Sequence, residues 1–100
     1  MFDAQRFLRE YNVPTLAEGH KHARMGWIQI KCPFCGSREG WHLGFNLESG
    51  YWHCWRCEWH SNMDVVRALL SCDEFQARRV IQTYTISSIL DEKRTVTVRK

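Results

Sequence analysis

The sequence predicts a small α+β domain in which an antiparallel three-stranded sheet is flanked by helices. Three observations carry this expectation. Two C-x2-C pairs, Cys32-Pro33-Phe34-Cys35 and Cys54-Trp55-Arg56-Cys57, are separated by eighteen residues. Short apolar–polar alternations lie before and between them, and helical apolar spacing appears on either side. A chain of 100 residues makes one small domain, and a domain of that size buries too little surface to be comfortably stable on its core alone.

The paired cysteines answer that shortfall. Each C-x2-C turns two thiols toward one spot, and the hairpin between the pairs brings the second alongside the first. Zn²⁺ takes four thiolates tetrahedrally at about 2.3 Å, and a closed shell of four sulfurs leaves no open position for a substrate. Cys32, Cys35, Cys54 and Cys57 are therefore read as the ligands of one structural zinc, which would contribute folding free energy directly. The rival readings are a pair of disulfides or a thiol redox switch. A switch usually carries one C-x-x-C on a βαβ scaffold, which this sequence lacks. Cys72 stands apart among helical residues and reads as a small buried hydrophobe, with a free exposed thiol as the alternative. Metal-type spacing without a signal-peptide pattern or a long apolar run points to a reducing cytoplasm and away from a membrane.

Each element follows in turn. Ala4, Phe7, Leu8 and Tyr11 recur at helical spacing with Asp3 as a candidate N-cap, and Pro14 closes that segment. Residues 15–25 form a polar stretch containing His20, Lys21, His22 and Arg24. It is a solvated loop, or a surface for a phosphate backbone. Residues 26–31 alternate, with Ile28 and Ile30 on one face and Trp27, Gln29 and Lys31 on the other. Residues 41–45 alternate again, with Trp41, Leu43 and Phe45 together. Asn46 to Gly50 reads as a turn in which Gly50 is free to take positive φ, and Tyr51 to Cys54 returns as the partner strand. Ser61 or Asn62 caps a helix with Met63, Val66, Leu69 and Leu70 on one face. Ser71-Cys72-Asp73-Glu74 reads as a capping box opening another, with Ala77, Val80, Ile81 and Tyr84 recurring. The resulting division is an N-terminal helix and basic loop (1–25), a zinc ribbon (26–60), packing helices (61–85) and a tail or linker (86–100).

Catalytic motifs are missing. The sequence has no phosphate-binding G-x-x-x-x-G-K-[ST] loop, no H-E-x-x-H helix and no Asp-x-Asp pair to hold Mg²⁺. The formal net charge is +3, and a four-thiolate zinc site contributes about −2, so a loaded domain is only slightly basic. That permits nucleic-acid binding without requiring it. The aromatics say more: Trp41, Phe45, Tyr51, Trp52, Trp55 and Trp59 crowd into the ribbon. Strand alternation puts Tyr51 and His53 on one face, with Trp52 and Cys54 on the other. If Trp52 faces the core, Tyr51 and His53 face outward, or the reverse; either way one face of the hairpin shows aromatic and imidazole groups. Bases stack on aromatic side chains for about 1–3 kcal/mol each, and Arg38 and Arg56, in or beside the knuckles, suit phosphates.

These residues also carry a resemblance. The strand entering Cys32-Pro33-Phe34-Cys35, then Tyr51-Trp52-His53-Cys54-Trp55-Arg56-Cys57, then the helix start Met63-Asp64-Val65-Val66, resembles the N-terminal zinc-binding domain of bacterial and phage DNA primases. The four cysteines and the Cys35-Gly36-Ser37 continuation are most similar to the zinc domain of phage primase–helicases. Cys35 stands where the bacterial proteins have a histidine ligand, and Arg56 and Glu58 stand where the family has glycines. The resemblance implies a domain that recognises a short single-stranded DNA template and assists primer synthesis by a separate catalytic module. Template readout would fall to side chains just before the third cysteine, here Ser49, Tyr51 and His53. The expectation is thus a zinc ribbon presenting Tyr51, His53 and Trp55 to single-stranded DNA, with Arg38 and Arg56 on phosphates. Its partners would be a primase catalytic domain and a helicase, in the host cytoplasm if phage-encoded. The alternative is a non-catalytic zinc ribbon for protein interaction or transcription-type DNA binding.

Overall fold

The computed structural model describes residues 1–16, 20–35 and 40–85. Helix α1 spans Ala4–Glu10, strands β1 to β4 span Trp27–Ile30, Leu43–Asn46, Trp52–Cys54 and Glu58–His60, and helix α2 spans Asn62–Leu70. A third helix, α3, covers residues 74–85. The strands form one antiparallel meander in the order β1-β2-β3-β4. The sheet thus has four strands where the alternation indicated three. The additional strand arises beyond the second knuckle, where Glu58 takes φ 76°. That left-handed residue turns the chain back along β3, pairing Cys54 with Glu58, His53 with Trp59 and Trp52 with His60.

The caps show why the helices begin where they do. The Asp3 carboxylate accepts from the Arg6 N–H at 3.1 Å, and the Ser61 hydroxyl accepts from the Asp64 N–H at 3.1 Å; each satisfies a backbone donor that the helix itself leaves unpaired. Ser61, not Asn62, is the cap of α2. Asn62 turns its side-chain oxygen inward to accept from the Trp52 indole N–H at 2.7 Å. The expected capping box at Ser71 does not form. Ser71 adopts the left-handed conformation that ends α2, and Asp73 caps α3 by accepting from the Gln76 N–H at 2.8 Å.

One sheet face and the three helices share a core of Phe7, Leu8, Ile30, Leu43, Phe45, Trp52, Val65, Val66 and Ala77. Cys72 is half-buried against it. Phe2, Phe7, Tyr11 and Tyr84 form an aromatic cluster that ties α1 to α3. Within it the Tyr84 hydroxyl donates to Glu10 at 3.3 Å. Burial pushes the Tyr84 phenol above its ordinary range, and the Glu10 carboxylate adds to the effect.

The β2–β3 turn follows the sequence. The Asn46 side chain accepts from the N–H groups of Glu48 and Ser49 at 3.0 and 2.8 Å, and Gly50 takes φ 77°. Trp41 departs from it. β2 begins only at Leu43, so Trp41 escapes the alternation that would have grouped it with Leu43 and Phe45. Its indole lines a cleft with Trp55 instead. No helix among the described residues is long and apolar enough to cross a membrane. The tail, residues 86–100, lies outside the described residues.

Candidate metal centre and aromatic face

Strand β1 delivers Cys32, β3 ends in Cys54, and the β3–β4 turn supplies Cys57. The sulfurs of Cys32, Cys35, Cys54 and Cys57 all lie within 4.8 Å of one another. Cys32 and Cys57 approach to 3.5 Å and Cys35 and Cys54 to 3.9 Å. A tetrahedron with metal–sulfur bonds of about 2.3 Å has edges of about 3.8 Å, so the four donors already stand at the spacing that a metal ion requires. Backbone N–H groups support them. Phe34 donates to the Cys32 sulfur at 3.4 Å, and Arg56 and Cys57 donate to the Cys54 sulfur at 3.4 Å.

The electrostatics explain why such a cluster wants a cation. Burial pushes the Cys32 thiol up. Burial also drives the Cys57 thiol strongly upward, and the neighbouring Cys54 and Cys32 sulfurs add to it. Cys54 goes the other way. Burial opposes its ionisation, but the N–H groups of Cys57 and Arg56, with help from the adjacent thiols, outweigh burial and hold it below the ordinary thiol value. The knuckle N–H groups favour ionisation of Cys54 while burial disfavours it at Cys32 and Cys57, and several adjacent negative charges would need a positive centre between them. A divalent ion removes that conflict and deprotonates coordinating thiols.

His60 belongs to this centre and was not picked out from the sequence. Its Nε2 lies 3.1 Å from the Cys57 sulfur, while its ring stacks on Phe34 at 3.9 Å and 10°. It therefore bridges the two knuckles, clamped by the aromatic residue of one and hydrogen-bonded to a sulfur of the other. The available signal was strand alternation carried past Cys57, which sets Trp59 and His60 on opposite faces of β4.

The opposite sheet face carries the other predicted residues. Trp52 is 1% exposed and faces the core, while Tyr51 is 64% exposed and faces outward with half-buried His53. Trp59 joins them at 63% exposure. The rings run in a chain. Tyr51 meets Trp59 at 6.3 Å, Trp59 meets His53 at 4.5 Å, His53 meets Trp55 at 5.9 Å, and Trp55 meets Trp27 at 5.4 Å. The Arg24 guanidinium lies 4.6 Å above the Trp55 ring, a cation–π contact that brings the basic loop onto the sheet.

Gly44 makes this arrangement possible. A Cβ there would lie 2.5 Å from the Trp55 ring and 2.9 Å from Trp27, so only a glycine lets both indoles settle on the strand. The structure thus brings Tyr51, His53 and Trp55 together, joins to them Trp59 of the aromatic-rich ribbon and Arg24 of the basic loop, and adds Trp27, which the sequence did not single out. Arg56 is exposed on the knuckle turn. Arg38 lies outside the described residues. No family model, no curated protein and no solved structure matches the chain.

Proposed function

We propose that this chain is a zinc-binding module that engages single-stranded DNA template and assists primer synthesis by the separate catalytic module of a DNA primase. Zinc is the ion because four thiolates at tetrahedral spacing make the closed shell of structural zinc sites, and the knuckle N–H groups stabilise the thiolate charge. Its role is to hold the β3–β4 turn, and with it Trp55, against the sheet. No step of chemistry is assigned to the module itself.

The observation that carries the binding reading is the unbroken aromatic row from Tyr51 through Trp59 and His53 to Trp55, outward-facing and capped by Arg24. A small domain that leaves a tryptophan and a tyrosine about two-thirds exposed beside one another offers stacking platforms, and bases stack on such platforms irrespective of sequence. Arg24 and Arg56 supply cations near the row for phosphates. The primase assignment rests on the resemblance of the two knuckles and their flanking elements.

The test is fluorescence anisotropy of the zinc-loaded chain with short single-stranded DNA pools over a salt series, with Tyr51→Ala and His53→Ala beside it. Sequence-selective binding weakened by either substitution supports template readout by this face. Salt-sensitive, unselective binding untouched by both reduces the module to phosphate contact. No binding at low salt replaces this reading with a protein-interaction ribbon.

A further inference from the structure

Beside the aromatic row lies a cleft of about 280 Å³, walled by Trp41, Trp55, His22, Arg24, Gln29 and His42. We infer that this cleft receives one unstacked nucleobase of the bound strand, an inference that rests on the single-strand-binding reading above. Ligand sites for drug-sized molecules run from about 300 Å³ upward, so the cleft suits one planar ring system and little more.

The walls are held ready by one buried amide. The Gln29 side-chain oxygen accepts from the Arg24 N–H at 2.7 Å. Its NH₂ donates to the carbonyls of His22 at 3.3 Å and Trp41 at 3.2 Å. Gln29 is 5% exposed although it lies on the outer sheet face. The basic loop covers it, and both its donors are used, so its work is to fix the walls and not to read a ligand. A further backbone bond, from the Trp55 N–H to the His42 carbonyl at 2.9 Å, joins the second knuckle to the same wall.

Hydrogen-bonding capacity remains on the other walls. His42 lines the cleft beside Trp41. The His22 and Arg24 side chains are exposed at the rim. Two indoles and a guanidinium offer flat apolar and cationic surface, while imidazoles offer hydrogen bonds to a ring edge. That is the combination by which unpaired bases are held and read. Trp55 belongs both to the row and to the cleft, so a strand lying along the row can turn one base into the cleft without leaving the sheet.

The test is an abasic scan. The tightest-binding oligonucleotide from the pools is titrated into the zinc-loaded full chain, alongside a series with each base removed in turn and the backbone kept. The expected result is one position at which base removal weakens binding about 5–150-fold. Trp41→Ala should erase that penalty, and Arg24→Ala, at an exposed position where folding is not at risk, should shrink it. A penalty that survives both variants and disappears in Trp59→Ala assigns the base to the row, overturning the cleft inference while strand binding stands. A free nucleotide carries the same ring, so deoxynucleoside monophosphates are titrated too. Quenching of tryptophan emission by them at the oligonucleotide's affinity, with no positional penalty in the scan, would also overturn it in favour of a nucleotide site. Absence of any single-strand binding removes function and cleft inference together.

Discussion

The two faces of the sheet use the same residue types to opposite ends. On the inner face Trp52 is 1% exposed, its ring against Phe45 at 4.9 Å and its indole N–H satisfied by Asn62. On the outer face Trp59, on the neighbouring strand, is 63% exposed, and its ring neighbours are His53 and Tyr51. Burial of the first is what a small core requires. The second gains little from its position in the isolated chain, so its size and flatness are available to a ligand. An aromatic residue is thus no guide to function until its face is known, and in this fold the face is set by strand alternation and the β3–β4 register.

The sharpest way to break the comparison is to remove the metal. Both faces flank the β3–β4 turn that carries Cys57, and structural zinc sites, the class proposed here, contribute about 10–16 kcal/mol of apparent binding free energy at neutral pH. Chelation, or Cys54→Ser, should therefore abolish the cooperative thermal transition, followed by far-ultraviolet circular dichroism. A chain that stays folded without metal would show that the helices and the inner face suffice. Next in size is Trp52→Ala, which should cost about 3–5 kcal/mol in urea unfolding of the metal-loaded chain, the usual range for a buried tryptophan. Its outer-face counterpart Trp59→Ala should leave unfolding within about 0.5 kcal/mol and instead weaken single-strand binding by about 1–3 kcal/mol. If the two substitutions had similar effects on stability, the distinction between the faces would fail.

His60 provides a test between those two. It lies opposite Trp52 in the β3–β4 register, on the side of the metal centre, and its Nε2 meets the Cys57 sulfur at 3.1 Å. Groups that hydrogen-bond a ligating atom typically affect metal affinity about 10–100-fold. His60→Ala should therefore weaken the metal in competition with a chromophoric chelator by that amount while leaving the stoichiometry at one. His60→Gln, which retains a donor, should recover part of it. A change in stoichiometry would mean that His60 is itself a ligand.

Much of this organisation is legible in the sequence, and the reasons are local. The two C-x2-C pairs fix four donors through spacing alone. Asp3 and Gly50 each act through chemistry within a few residues, so their roles as cap and turn residue follow directly. Strand alternation separates Trp52 from Tyr51 and His53 without further information. The rest depends on contacts distant in the chain. β4 is three residues long and exists because Glu58 adopts a conformation that its side chain does not advertise. Gln29 is buried because the loop at 20–24 crosses the strand, and Arg24 reaches Trp55 by the same crossing. Trp41 continues the alternation of β2 in the sequence, but the strand starts two residues later, at Leu43. Gly44 looks like an ordinary strand glycine until the two indoles above it are placed.

Glu58 gives the smallest and most discriminating prediction. It stands at the point where the chain leaves the metal centre and enters the strand that sends Trp59 outward and His60 inward, and it does so at φ 76°. Non-glycine residues in this region carry a cost on the order of 1 kcal/mol, whereas glycine adopts it freely but loses more conformational freedom on folding. The side chain is exposed, so little packing is lost on its removal. Glu58→Gly should therefore stabilise the metal-loaded chain by about 0.5–1 kcal/mol, raising the melting temperature by about 2–8 °C, with metal affinity and single-strand binding unchanged. Glu58→Ala separates the two possible roles of the residue, since it keeps the strained conformation and deletes the carboxylate. If Ala matches the wild type and Gly exceeds it, the position is a conformational hinge and its side chain is incidental to the turn. If both variants lose stability, the carboxylate itself holds the turn.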